Sequence, residues 1–300
     1  MSASKITARL RVAYLVAYLV ATLNVLAVPK IAQAEAAKSS VRVAVATNFV
    51  TTLKTLSEDF ESLDNAKILI SAGSTGKLYA QIRQGAPYDI FLAADQQRPQ
   101  LLEQLGLTVT NSRFAYANGA LVLWQPNKAT PRAISRTKAR TTNDDENPTA
   151  QTEQSTQIRH WLAGASSIAL ANPRLAPYGF AAQEVLHNLQ ITQSMSQRQV
   201  MGENIGQTFS LVATGNATLG FVAAAQMLEQ NQPRNTYLNI PSELHSPILQ
   251  DAVQLKYGAN NQAAVNFLRY LTTARAKKII QAAGFVAAEA DLITDLTPDL

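Results

Sequence analysis

Short apolar segments alternate with helical patterns along the first half of the chain, and the junctions between them carry most of the information. The apolar stretch around Val41, Val43 and Val45 runs into Ala46-Thr47-Asn48-Phe49, and Ile68-Leu69-Ile70 runs into Ser71-Ala72-Gly73-Ser74-Thr75-Gly76. Each reads as a strand that ends in a small hydroxyl- or amide-bearing turn, and each turn opens a helix. Phe49, Leu53, Leu56 and Phe60 mark the buried stripe of the first helix; Leu78 and Ile82 mark the second, which stops at Gly85-Ala86-Pro87. A third strand, Tyr88 to Ala94, leads to Asp95, read as a helix N-cap. Right-handed crossovers put all these strand ends on one side of a largely parallel sheet, the side at which open α/β sheets bind ligands. Two such junctions supply free backbone N–H groups, with Asn48, Ser74 and Thr75 as further donors. That is a way to hold an anion without a charge.

The pattern restarts at Asn118 with a strand from Gly119 to Trp124, then breaks off. From about Pro126 to Gln157 the chain is rich in Thr, Asn, Gln, Arg and acidic residues, which predicts a disordered surface insertion. Ser167 to Pro173, a helix from about Phe180 to Leu189, the segment Gly206 to Ala213 and a strand from Leu219 to Ala223 make a second α/β lobe. Ile248 to Leu255 reads as a return strand. One helix is predicted from Ala263 to Ala283, with Gly284 at its C′ position. The domain organisation is therefore a first lobe from residues 35–117 and 247–300, a second from 118–246, and a hinged cleft between them near 116–119 and 245–248.

Composition narrows the class. Lys5, Arg9 and Arg11 precede an apolar run from Val12 to Val28, broken by Pro29 and followed by Ala32-Gln33-Ala34. This is the order of a secretory signal over residues 1–34, cleaved near Ala34, and the reading that competes with it is a retained anchor. The mature protein is expected to be exported and soluble. The chain has no cysteine, which excludes disulfides, thiolate metal sites and a cysteine nucleophile. Its net charge of +5 is partly the signal's, and no basic block interleaved with aromatics suggests nucleic acid. His160, His187 and His245 lie far apart, and neither a metal spacing nor a Gly-x-Ser-x-Gly elbow occurs, so an exported enzyme is disfavoured.

Four stretches in order carry a resemblance: Ala46 to Phe49, Ala72 to Leu78, Gly85 to Asp95, and Asn172-Pro173-Arg174-Leu175-Ala176-Pro177-Tyr178-Gly179. Together they resemble the periplasmic molybdate-binding proteins of ABC importers over most of the mature chain, the insertion excepted. The resemblance implies a two-lobed type II periplasmic-binding fold, one oxyanion in the cleft, a membrane permease as partner, a monomer, and no cofactor beyond the ligand. Carried over, it points to Thr47 and Asn48 at the first junction, Ser74 or Thr75 at the second, Tyr178, and the Asn204-Ile205-Gly206 turn with the Ile205 backbone. Many members place a tyrosine late in the second lobe, where this chain has Ala223; the resemblance implies that Tyr178 supplies the phenol instead.

Each of Asn48, Ser74 and Thr75 is also a helix-capping type, and for any one alone capping is the simpler role. Tyr178 alone fits a surface turn, Lys77 a solvated helix face, and Asp89 and Asp95 structural positions. Gly73 and Gly76 lack the following Gly-Lys-Ser/Thr of a phosphate loop. A donor-only pocket suits molybdate or tungstate, every oxygen of which accepts. Monohydrogen phosphate would set its proton against donors at a cost of about 1–3 kcal/mol. Glu203 is the nearest candidate acceptor. Sulfate or phosphate receptors, and a sensor domain, are the rival readings within binding proteins.

Overall fold

The computed structural model describes residues 39–126 and 148–286. The predicted signal over 1–34 lies outside the described residues.

Two five-stranded sheets share one topology. The first has the order β2-β1-β3-β10-β4, from β1 (Ser40–Ala46), β2 (Lys67–Gly73), β3 (Ile90–Leu92), β4 (Phe114–Gly119) and β10 (Ile248–Gln254). The second has the order β7-β6-β8-β5-β9, from β5 (Leu121–Trp124), β6 (Ile168–Ala171), β7 (Gln199–Gly202), β8 (Leu219–Ala223) and β9 (Tyr237–Asn239). In each sheet three strands are parallel, and the fourth in order runs antiparallel to its neighbours. That fourth strand is the one arriving from the other sheet, β10 in the first and β5 in the second. The sheets are thus mixed rather than largely parallel, because each lobe accepts a strand from the opposite direction.

Strand residues alternate between two cores, as a pleat buried on both faces requires. Val41, Val43 and Val45 face Phe49, in the turn just before α1 (Val50–Asp64), and Leu53 and Phe60 of α1, together with Phe267 and Leu271. Ala44, Phe91 and Ala93 face Leu78 and Ile82 of α2 (Thr75–Arg83) and Leu102 of α3 (Gln97–Gln104). In the second lobe Leu121 and Leu123 point one way and Val122 and Trp124 the other.

Four sequence expectations need correction. The strand expected from Gly119 to Trp124 is two strands in different sheets, changing over at Ala120. Of the insertion, 127–147 lies outside the described residues, but α4 (Pro148–Ala163) already covers its last part. Ile158, Trp161 and Leu162 bury the C-terminal half of α4, and the polar sequence before them continues the helix back to Pro148. The single C-terminal helix is two, α7 (Gln262–Thr272) and α8 (Ala274–Ala282), because Thr273 turns extended (ψ 153°) and its Oγ1 accepts from Ala276 N at 3.2 Å. Asp95 sits one residue before the N-cap, Gln96, yet its Oδ1 still accepts from Arg98 N at 3.0 Å.

Asp89 is structural: buried, its Oδ2 accepts from Arg42 N at 2.6 Å and ties the start of β3 to β1. Asp89→Ala would leave that N–H unpaired and is expected to lower the unfolding free energy by about 1–3 kcal/mol, measured by urea denaturation.

Candidate functional site

The parallel strands of both sheets end at one cavity. Ala46 and Gly73 are register partners at the ends of β1 and β2, and Ala171 and Gly202 at the ends of β6 and β7. After these ends come four helical N-termini: the 3₁₀ turn Thr47–Phe49 that leads into α1; α2, capped by Ser74; α5 (Pro177–Asn188), with Pro177 in its first turn; and α6 (Ile205–Ala213), capped by Asn204. The first turn of a helix leaves backbone N–H groups without intrahelical partners and carries the positive end of the helix dipole. Small residues at the strand ends let the turns approach one another.

The cavity is small and is lined by Thr47, Asn48, Ser74, Thr75, Tyr178 and Ile205, with Asn204 and small apolar residues between them. No lining residue is charged. Sequence reasoning named all six, and the structure brings them together from both lobes. Asn48, Ser74, Thr75 and Tyr178 are each at most 2% exposed.

Hydrogen-bond polarity decides what these groups can offer. Ser74 Oγ accepts from Lys77 N at 3.4 Å, and Thr75 Oγ1 accepts from Ala94 N at 3.2 Å. With their oxygens so engaged, both hydroxyl protons are available to donate, and capping and ligand binding are compatible at the same residue. Thr47 is different: its hydroxyl donates to Asn204 Oδ1 at 3.3 Å and accepts from Gly206 N at 3.2 Å, so it closes the cleft. Tyr178 Oη receives Gln250 Nε2 at 3.5 Å. Burial pushes the Tyr178 phenol well above the usual tyrosine range, with the Gln250 and Asn48 amides offsetting part of the rise. It stays a neutral donor at physiological pH. Where relatives were expected to carry a tyrosine, Ala223 N donates to Gln226 Oε1 at 3.0 Å, and Gln226 Nε2 in turn reaches Ile205 O at 3.3 Å, fixing the first turn of α6.

Other candidates fall outside the site. Lys77 is exposed and pairs with Glu203 across the cleft mouth at 2.6 Å, and neither lines the cavity. His160 and His187 are exposed, and His245 Nδ1 lies 2.8 Å from Ser246 O. Sequence reasoning missed Gln250 and Tyr116, both buried behind Asn48: Gln250 Oε1 accepts from Asn48 Nδ2 at 2.9 Å and from Tyr116 Oη at 3.1 Å. Gln250 shares the return strand with Asp251 and Gln254, so no local signal singled it out.

Two lobes joined by crossing strands, with an uncharged ring of donors between them, define a solute-binding protein of the periplasmic type. The sequence profile of the bacterial extracellular solute-binding protein family matches residues 41–286, and the chain belongs to that family, within its molybdate-binding branch. The molybdate-binding protein ModA of Azotobacter vinelandii is 39% identical over 248 residues, covering 82% of this chain and 90% of that protein. ModA of Rhodobacter capsulatus is 36% identical over 251 residues, covering 84% and 90%. The solved structure of the Azotobacter vinelandii periplasmic molybdate-binding protein superposes with a TM-score of 0.70 at 34% identity, covering 83% of this chain and all of that one. The expected fold and family are borne out.

Two predictions follow from the geometry. A Cβ at Gly119 would lie 2.1 Å from Tyr178 Oη and 2.7 Å from Gln250 Nε2. Gly119→Ala should therefore displace the phenol by roughly 1 Å and cost about 1–3 kcal/mol, seen in a crystal structure and by denaturation. Spectroscopic titration of the chain from Glu35 should find Tyr116, Tyr178 and Tyr270 ionising above the usual tyrosine range, since each is raised chiefly by burial. A raised folded-state value means this stabilisation is whole below the unfolded tyrosine value of about 10 and is lost only as pH rises beyond it.

Proposed function

We propose that the chain is a periplasmic receptor that captures molybdate, and equally tungstate, by neutral hydrogen bonds and hands the anion to the permease of an ABC importer. The observation that carries this reading is the uncharged cavity ringed by four helical N-termini from both lobes. The names of its relatives support the choice of anion.

In this reading Asn48, Ser74, Thr75 and Tyr178 donate from side chains, the first-turn N–H groups at Thr47 and Ile205 donate from the backbone, and Thr47 Oγ1 holds the lobes together. Molybdenum is bound only as its oxyanion, and no cofactor takes part. Lobe boundaries near 117 and 247 put the hinge at the two crossing strands. The leader is cleaved near Ala34, and the receptor works as a monomer. Among the described residues no helix is long and apolar enough to cross a membrane.

Glu203 bears on selectivity, since a carboxylate in the cavity would accept the proton of hydrogen phosphate. Its pairing with Lys77 outside the lining keeps it from that role. In this reading the lining residues turn donors toward the ligand, which favours fully deprotonated tetrahedral dianions over phosphate.

Calorimetric titration of the chain from Glu35 tests the site. Asn48→Ala and Ser74→Ala should each weaken molybdate binding by about tenfold or more, the worth of a hydrogen bond to a charged partner, while the ligand-free protein still unfolds cooperatively, with a midpoint lowered only by the lost cap or buried hydrogen bond. Unchanged affinity in both would place the anion elsewhere.

A further inference from the structure

Gln250 lies at the one irregularity in the pairing of β10 with β4, where the register shifts between Gln250 and Asp251. The shift turns a fully buried amide toward the back of the cavity, where it meets three groups: Asn48 from the first junction, Tyr116 from β4, and Tyr178 from the second lobe. As arranged, Gln250 Oε1 accepts from both Asn48 Nδ2 and Tyr116 Oη, and Gln250 Nε2 makes only the long 3.5 Å contact to Tyr178 Oη. One atom is left over. Asn48 Oδ1, buried in a residue that lines the cavity, has no partner.

An unpartnered buried carbonyl oxygen is costly by itself, and it is the wrong polarity to meet an oxyanion. A half-turn of an amide exchanges its nitrogen and oxygen without changing its shape. If the Gln250 and Asn48 amides turn together, Gln250 Nε2 donates to Asn48 Oδ1 and to Tyr116 Oη. Tyr116 keeps its own proton on Ala93 O, 3.1 Å away. Asn48 Nδ2 then takes the position turned away from Gln250, and Gln250 Oε1 takes the place of Nε2 beside the Tyr178 hydroxyl.

Resting on the oxyanion reading above, we propose that Gln250 is a positioning residue: its hydrogen bond to Asn48 selects which end of the Asn48 amide faces the ligand. Gln250 makes no contact with the anion. Its influence passes through Asn48, so the two residues are coupled rather than additive.

A double-mutant cycle on the chain from Glu35, read by calorimetric titration with sodium molybdate, tests this. Gln250→Met keeps the length and removes both polar atoms; Gln250→Glu keeps both acceptors for Asn48 and Tyr116 and cannot donate. Each single variant is expected to weaken molybdate binding about tenfold or more, Gln250→Glu the more because it fixes the Asn48 oxygen toward the anion and adds a charge. In an Asn48→Ala background, Gln250→Met should cost less than about twofold further, a result that a purely structural contribution would not produce. Should Gln250→Met fail to fold, with its thermal midpoint lost, Gln250→Glu carries the test through its single-variant affinity. Wild-type affinity in the Gln250 variants, or an equal loss with and without Asn48, would overturn the proposal. An Asn48→Ala variant of wild-type affinity would also overturn the proposal, and the same result in Ser74→Ala would overturn the oxyanion reading beneath it.

Discussion

The structure depends on unsatisfied backbone N–H groups converging on one small volume. Four helical N-termini supply them, and each must end a strand or loop at that point for the donors to meet. The fold arranges this by building two sheets of the same topology and exchanging one strand between them, so that the parallel strands of both sheets end at a shared edge. With donors provided by the backbone, the cavity needs no lysine or arginine. A cationic side chain would attract any anion. Fixed dipoles in a water-poor pocket instead reward the ligand whose oxygens all accept.

Closure is part of the same device. Gly76 N donates to Leu175 O at 2.8 Å across the cleft, and Gly206 N donates to Thr47 Oγ1 at 3.2 Å. Arg98 Nη2 reaches Arg174 O at 2.9 Å, and Lys77 meets Glu203 at the mouth. A Cβ at Gly76 would sit 3.0 Å from Leu175 Cα, so glycine there permits the close approach of the lobes. These bonds form only when the lobes meet, and a ligand that bridges both favours the closed form by its differential affinity. The exposed ion pair contributes little by itself.

Much of this was legible in the sequence because local patterns carry it. Asn48, Ser74 and Thr75 sit directly after apolar strands, so strand, turn and donor lie within a few residues of one another. Tyr178 was legible only through family resemblance, since a tyrosine after proline has many uses. Gln250 was illegible: it lies 202 positions from Asn48, and no spacing rule links a return strand to the first junction. The break at Thr273 was missed because an apolar helical period continues across it, while one threonine capping Ala276 N is enough to start a new helix. The start of α4 was missed because its first turns carry no apolar stripe, and their helicity follows from the buried half beyond them.

The most direct test is the selectivity of the unmodified chain from Glu35, titrated calorimetrically with molybdate, tungstate, sulfate and phosphate in one buffer free of competing oxyanions. A donor-only cavity predicts tight one-to-one binding of molybdate and tungstate at similar affinity, with little heat from phosphate or from the smaller sulfate. Phosphate binding as tight as molybdate would contradict it, because the site would then have to turn an acceptor, such as Asn48 Oδ1, toward the ligand's proton.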